Sequence, residues 1–380
     1  MTHPRPPSTS DGSSSTATTR TPIGVGTSSR WRLGYALVLL LVLASGACSA
    51  LWNPALLRPP GGALLDGSVA DAYQRAFDAE SVLLGPARTL WGLIDTQLFG
   101  QGRTGVLIGR DGWLYSREEY TTVADPEGAI AVWVERLSLV RDALGRQGAG
   151  LVVALVPSKA SMVPQYVRAP LPRASAERYD TVLDVLGERG VVVADLRPAL
   201  ADGEASFLRT DTHWTPEGAA AAARAIAATV REHAPYDAIG QARYETERGA
   251  VSERFGDLTG FLDLGPLLGA LGPAPDRVRD RRTVSLEEPS TDLFAEVDVP
   301  VALVGTSYSA DPTWNLVGAL REALGSDVLD ASQTGLGPWE PMERYLNGEA
   351  LRSTPPKVVI WEIPERYLTL EGFVPTEARW

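Results

Sequence analysis

The spacing of apolar and polar positions divides the chain at residues 33 and 53. Residues 1–30 are rich in Ser, Thr, Pro and Gly without an apolar period, so residues 1–32 are expected to form a disordered tail. Leu33 to Trp52 holds no charged residue and is most apolar across Leu37-Val-Leu-Leu-Leu-Val-Leu43. About twenty apolar residues suffice to span a bilayer, so 33–52 predicts a transmembrane signal-anchor. Arg30 and Arg32 on its N-terminal side put the tail in the cytoplasm and everything after residue 52 outside, by the positive-inside rule. Two alternatives stay open. Ala44-Ser45-Gly46-Ala47 is small enough for signal-peptide cleavage, and Cys48 suits lipidation, although Ser45 stands where an aliphatic residue is normally wanted. The segment 53–68 reads as a Pro- and Gly-rich linker.

Residues 69–380 read as one domain. Val69 to Gly100 has helical period, with Ala72, Tyr73, Ala76 and Phe77 on one face and a break at Gly85-Pro86. Val106–Gly109 and Trp113–Tyr115 flank Arg110-Asp111-Gly112, a hairpin signal. Continuous apolar runs at 151–156, 191–194, 301–304, 327–330 and 358–361 predict buried strands. Between them, helical period falls at 128–148, 174–189, 216–233, 315–324 and about 340–351. Such alternation predicts an α/β fold, a central, mostly parallel sheet covered on both faces. The stretch from about 235 to 297, rich in Gly, Asp and Arg, breaks the pattern and is expected to be an irregular insertion with a few strands.

Charge and composition narrow the chemistry. The net charge is −12, and the first 32 residues carry about +3 of it, which leaves nothing basic enough to bind nucleic acid. Cys48 is the single cysteine and there are three histidines, so no disulfide, no zinc site and no other metal or cofactor is expected.

In open α/β sheets, ligands gather at the carboxyl ends of strands. Those ends carry Ser158-Lys159, Asp195, Gly305-Thr306-Ser307-Tyr308-Ser309, Asp330 with Gly335, and Glu362 with Arg366. Asp211-Thr212-His213-Trp214 precedes a helix start, with Thr215 as N-cap, Pro216 at the first position and five alanines after Gly218. A carboxylate two residues before an imidazole can hold one ring nitrogen and leave the other as a base. Ser307 sits on a strand-to-helix turn with backbone N–H groups nearby, although Ser309 replaces the second glycine of G-x-S-x-G. Each motif taken alone also fits ordinary loop capping. Together they offer an activated serine, because a weak hydroxyl needs an adjacent, oriented base.

These motifs, with Gly109-Arg-Asp-Gly-Trp-Leu-Tyr115, Val156-Pro-Ser-Lys159, Gly256-Asp-Leu258 and Trp361-Glu-Ile-Pro-Glu-Arg-Tyr367, resemble the AlgX/AlgJ family of alginate O-acetylation proteins. The resemblance implies a three-layer α/β/α SGNH-hydrolase-like domain. It implies Ser307 as nucleophile, His213 as general base and Asp211 as its partner. It also implies transfer of acetyl groups to hydroxyls of an exported polysaccharide outside the membrane, with a separate multi-pass membrane acyltransferase supplying the donor. The organisation expected is that of AlgJ, without the carbohydrate-binding module of AlgX, and 235–297 matches only at isolated points. The Ser307 N–H and Gly335 are then candidate oxyanion donors. Lys159 and Arg366 are candidates to line the path of an acidic acceptor, or surface ion pairs. Tyr308 is a candidate to stack on a sugar, Trp214 reads as core packing with sugar stacking the alternative, and Glu362 is a candidate partner for Arg366. An acetylesterase with the same triad, and a catalytically silent glycan-binding scaffold, are the competing functions.

Overall fold

In the computed structural model, the described residues are 29–52, 66–80, 84–233, 239, 242–287 and 299–373. Most of the expected tail and linker lies outside them. The chain divides into two compact units, Met1–Leu84 and Gly85–Trp380.

In the first unit, Ser29–Trp52 forms one helix in which every side chain from Leu37 to Leu43 is more than half exposed. Among the described residues, no helix is long and apolar enough to cross a membrane. Side chains in this helix are described only for residues 33–48, short of the roughly twenty that a span requires. A second helix, Ser68–Glu80, follows.

In the second unit, Asp111 and Gly112 take φ of 53° and 78°. Two left-handed residues in succession make a tight hairpin turn, which folds β1 (Val106–Ile108) against β2 (Leu114–Ser116). The helix expected at 128–148 runs Pro126–Arg146, because the Asp125 carboxylate accepts the Gly128 N–H at 2.9 Å and Pro126 occupies the first turn. The remaining strands are β3 (Gly150–Val156), β4 (Val192–Asp195), β5 (Tyr244–Arg254), β6 (Asp276–Ser285), β7 (Val301–Val304), β8 (Val328–Asp330) and β9 (Val358–Pro364). Five of them form one sheet in the order β4-β3-β9-β7-β8, and every pairing is parallel. The helix expected near 340–351 is two, Trp339–Asn347 and Glu349–Ser353, divided at the extended Gly348.

Alternate residues of the strands build two cores. One face carries Val152, Ala154, Val301, Leu303 and Ile360 against helices Pro216–His233 and Leu316–Leu324. The other carries Val153, Leu155, Ala302, Val304 and Trp361 against helices Pro126–Arg146 and Arg173–Glu188. Ala219, Ala222 and Ala223 let the first of these helices lie close, and a Cβ on Gly218 would stand 2.2 Å from the Ser206 carbonyl oxygen. In the 235–297 stretch, β5 and β6 pair as a long antiparallel ribbon with an irregularity between Arg248 and Val251. It is a two-stranded sheet separate from the five-stranded one.

Ile360 is fully buried in β9, the central strand. Ile360→Ala is expected to cost about 2–5 kcal/mol through lost burial and a residual cavity, read as a lowered denaturant midpoint with an unchanged slope.

Candidate active site

β7 ends at Val304, and the chain passes through Gly305-Thr306 into a one-turn helix, Ser307–Ala310. The turn is held from below by Glu362 of β9, the neighbour of β7. Its carboxylate accepts the Thr306 N–H at 2.7 Å, the Thr306 hydroxyl at 3.0 Å and the Ser309 hydroxyl at 2.9 Å. Gly305 is required here, because a Cβ would lie 2.6 Å from Glu362 Oε2 and 2.7 Å from Ser309 Oγ. Burial raises the Glu362 pKa against the pull of those donors.

The histidine lies on a closed loop. Phe207 and Trp214 pair antiparallel at its base, and the Leu208 N–H donates to the His213 carbonyl at 3.1 Å. Three charged residues hold the loop. Asp276, at the start of β6, accepts the backbone N–H groups of Arg209 and Thr210 and the Thr210 hydroxyl. Lys159 Nζ donates to the carbonyls of Asp211, at 2.8 Å, and Arg209, at 3.1 Å. The Asp257 carboxylate accepts the Thr212 N–H at 2.8 Å. The backbones of Gly256 and Thr210 meet so closely that a Cβ at 256 would lie 2.4 Å from the Thr210 carbonyl.

The two segments meet at the side chains. His213 Nε2 lies 2.8 Å from Ser307 Oγ, and His213 Nδ1 lies 2.6 Å from Asp211 Oδ1. The imidazole is flanked by Trp314, stacked at 5.3 Å, and by Tyr308 at 4.7 Å. Burial opposes the Asp211 charge, but the hydrogen bonds and charge of His213, with the backbone N–H of Asp257, hold its carboxyl at about 2. Desolvation and the neighbouring Asp211 push Asp257 the other way, upward. The arrangement meets the geometric requirements for an activated serine: a base in hydrogen-bond reach and a carboxylate that fixes its tautomer. Asp211, His213 and Asp257 also form a cluster whose ligand atoms lie within 4.8 Å of one another. Within it Asp211 Oδ1 accepts from His213, Asp211 Oδ2 accepts the Asp257 N–H at 3.1 Å and Asp257 Oδ1 accepts the Thr212 N–H.

The structure corrects the substrate-contact expectations for Lys159, Tyr308 and Arg366 and the stacking alternative for Trp214. Lys159 and Trp214 are fully buried, Tyr308 is 1% exposed and Arg366 is 5% exposed, so none offers a surface to a sugar or an acceptor chain. Each is internal because its polar atoms serve the loops. Trp214 Nε1 donates to the Tyr308 carbonyl at 3.1 Å, and the Tyr308 hydroxyl donates to the Thr212 carbonyl at 2.7 Å, so this pair staples the histidine loop to the serine helix. Arg366 donates to Glu118 at 2.9 Å and reaches the Tyr308 hydroxyl at 3.4 Å, whereas Glu362 serves the Thr306 turn. Burial lowers the Lys159 pKa to about 8, against the pull of Glu119, Asp276 and Asp211. Gly335 takes a φ of 80° in the turn after β8, and it is Gln333, two residues earlier, whose N–H reaches the Gly305 carbonyl at 3.0 Å. Sequence reasoning missed Asp257, Asp276 and Trp314 as parts of the site. The Gly256-Asp-Leu258 motif was a signal for the first; Asp276 and Trp314 carry no local signal.

A carboxylate whose folded pKa is depressed stabilises the fold above its unfolded value and loses that contribution as pH falls through the folded value. For Asp211 the window runs from its ordinary 3.8 down to about 2. Asp211→Asn is therefore expected to flatten the fall of melting temperature between pH 4 and pH 2, measured by thermal denaturation across that range.

Residues 106–365 match the family model described as the SGNH hydrolase-like domain, acetyltransferase AlgX. A Pseudomonas putida protein named "Probable alginate O-acetylase AlgJ" is 40% identical over 352 residues, covering 90% of each chain. A Pseudomonas aeruginosa protein of the same name is 36% identical over 345 residues, covering 87% of each. The solved O-acetyltransferase domain of Pseudomonas putida AlgJ has a TM-score of 0.64 at 38% identity, covering 71% of this chain and 94% of that one. Pseudomonas aeruginosa AlgX has a TM-score of 0.56 at 25% identity, covering 71% and 65%. With the family match spanning both cores and the serine–histidine pair, the chain belongs to the AlgX family of SGNH hydrolase-like acetyltransferases and is an O-acetyltransferase of that type.

Proposed function

We propose that the protein transfers acetyl groups to hydroxyls of an exported, alginate-like polysaccharide, with Ser307, His213 and Asp211 as its catalytic triad. The observation that carries this reading is the unbroken hydrogen-bonded series Asp211–His213–Ser307, at 2.6 Å and 2.8 Å. Ser307 Oγ attacks the acetyl carbonyl carbon while His213 Nε2 takes its proton. The tetrahedral oxyanion is met by the Ser307 N–H, in the first turn of its helix where backbone donors lack intrahelical partners. The intermediate collapses to an acetyl-serine, and His213 returns the proton to the departing group. A sugar hydroxyl then attacks the acyl-enzyme, His213 takes its proton, and Ser307 is restored. The polysaccharide acceptor follows from the alginate O-acetylase names of relatives at 36–40% identity. A separate multi-pass membrane acyltransferase delivers the acetyl donor.

The test uses the full-length chain in detergent, a chromogenic acetyl ester and uronate oligosaccharides. Acetyl should appear on the sugar, and Ser307→Ala should lower turnover by at least about a thousandfold. Unchanged turnover in that variant would exclude the triad, and release of acetate to water alone would make the protein an esterase.

The same reading places the catalytic unit outside the cytoplasmic membrane, anchored by the Ser29–Trp52 helix. Its support is the exposed apolar run Leu37–Leu43 with Arg30 and Arg32 on the N-terminal side. A periplasm-dependent reporter fused after residue 60 is expected to be active, and activity of a cytoplasm-dependent reporter there would overturn the topology.

A further inference from the structure

Beside the β1–β2 hairpin lies a cleft of about 320 Å³, within the usual range of roughly 300–1,000 Å³ for small-molecule sites. None of Asp211, His213 and Ser307 lines it. Two arginines do, Arg117 and Arg168, and among the described residues no carboxylate does, in a chain with 47 acidic residues against 35 basic ones. Among the described residues, the Arg117 guanidinium has no hydrogen bond and no ion pair. Arg168 spends Nε on the Gly109 carbonyl at 3.1 Å, which orients the group, and among the described residues neither Nη atom has a protein acceptor. Gly100 leaves it room, because a Cβ there would stand 3.3 Å from Arg168 Nη1. The other walls include the polar Gln101 and the partly exposed Leu107 and Tyr120, with Val106 and Tyr115 buried behind them.

A cleft with one unpartnered guanidinium, a second with both Nη atoms open, and a partly apolar, aromatic wall selects a ligand with an anionic edge and a C–H face. A carboxylate takes the fork of an arginine bidentately, and a pyranose ring lies flat on tyrosine. We propose that this cleft is a subsite for a uronate residue of the acceptor chain, separate from the acetyl-transfer centre. The proposal rests on the acidic-polysaccharide reading above and extends it to a second grip on the same polymer.

The subsite is built on the same unit as the serine. Arg117 and Tyr120 belong to a 3-10 turn, Arg117–Tyr120. Within that turn Glu118 accepts from Arg366, which reaches the Tyr308 hydroxyl, and Glu119 accepts the Ala160 N–H at 2.8 Å. A polymer held in the cleft is thus held at a fixed place relative to Ser307. A short acetyl ester has no need of it.

The experiment uses the full-length protein in detergent, with Arg117→Gln and Arg117→Gln/Arg168→Gln variants. Binding of uronate oligosaccharides, neutral oligosaccharides of equal length and inorganic phosphate is measured by calorimetry, alongside turnover of a small chromogenic acetyl ester. The double variant is expected to weaken uronate binding by at least about tenfold, one charge-assisted hydrogen bond or more, while ester turnover stays at the wild-type level. Wild-type uronate binding should fall as salt rises, and the neutral oligosaccharide should not bind there. Unchanged uronate affinity in both variants overturns the subsite, as does phosphate binding as tightly as the oligomer. The single variant, at an exposed position, keeps the test valid if the double one misfolds. Ester turnover in Ser307→Ala separates the two readings: turnover lost there, with uronate affinity unchanged by the arginine substitutions, leaves only the triad, and turnover kept there, with uronate affinity lowered by them, leaves only the subsite.

Discussion

The hydrogen bond from Ser307 Oγ to His213 Nε2, 2.8 Å long, joins segments ninety-four residues apart, and the site exists only while that separation is held. Neither segment is rigid by itself. One is a short closed loop and the other a single helical turn, and isolated pieces of that size do not hold a shape in water. The rigidity comes from buried polar groups placed where the backbone has no ladder partners. Glu362 fixes the serine turn, Asp276 and Lys159 fix the histidine loop, and the Trp214–Tyr308 contact ties the two together.

Burying charge costs several kcal/mol per group unless hydrogen bonds replace the lost water. Glu362 and Lys159 are both fully buried, and burial pushes each toward its neutral form, the acid upward and the lysine downward to about 8. Lys159 serves two main-chain carbonyls, and Glu362 serves the Thr306 N–H together with the Thr306 and Ser309 hydroxyls. Leaving those backbone groups unpaired in a dry interior would itself be costly. The charges therefore do positional work: they turn irregular backbone into a fixed scaffold at the place where a fraction of an ångström matters.

The ribbon of β5 and β6 shows how an element outside the main sheet completes the site. The stretch it brackets supplies Gly256, whose missing Cβ lets two backbones meet, and Asp257, which binds the Thr212 N–H, while β6 itself begins at Asp276. The five-stranded sheet presents the serine at a strand end, as parallel sheets do. The histidine loop is clamped between that sheet and the ribbon.

Much of this was legible in order along the chain. The five buried strands, the helix at 216–233 with its Thr215 cap and the Asp-Gly hairpin all follow from local periodicity and turn chemistry, because those signals reside within a few consecutive residues. Asp211, His213 and Ser307 were also singled out by type and position, since a histidine-poor chain offers few bases and a strand end offers few serines, and the fold brings their side chains into hydrogen-bond reach. What the sequence could not determine is which polar residues face inward. Lys159, Arg366 and Tyr308 sit beside the serine and histidine motifs and read as contacts for a substrate, yet the fold turns all three into its own interior. Burial is a property of everything packed around a side chain, supplied here by segments from residue 113 to residue 366. Only the tertiary structure, which brings those segments to one point, decides whether a charged side chain meets solvent, a ligand or the backbone.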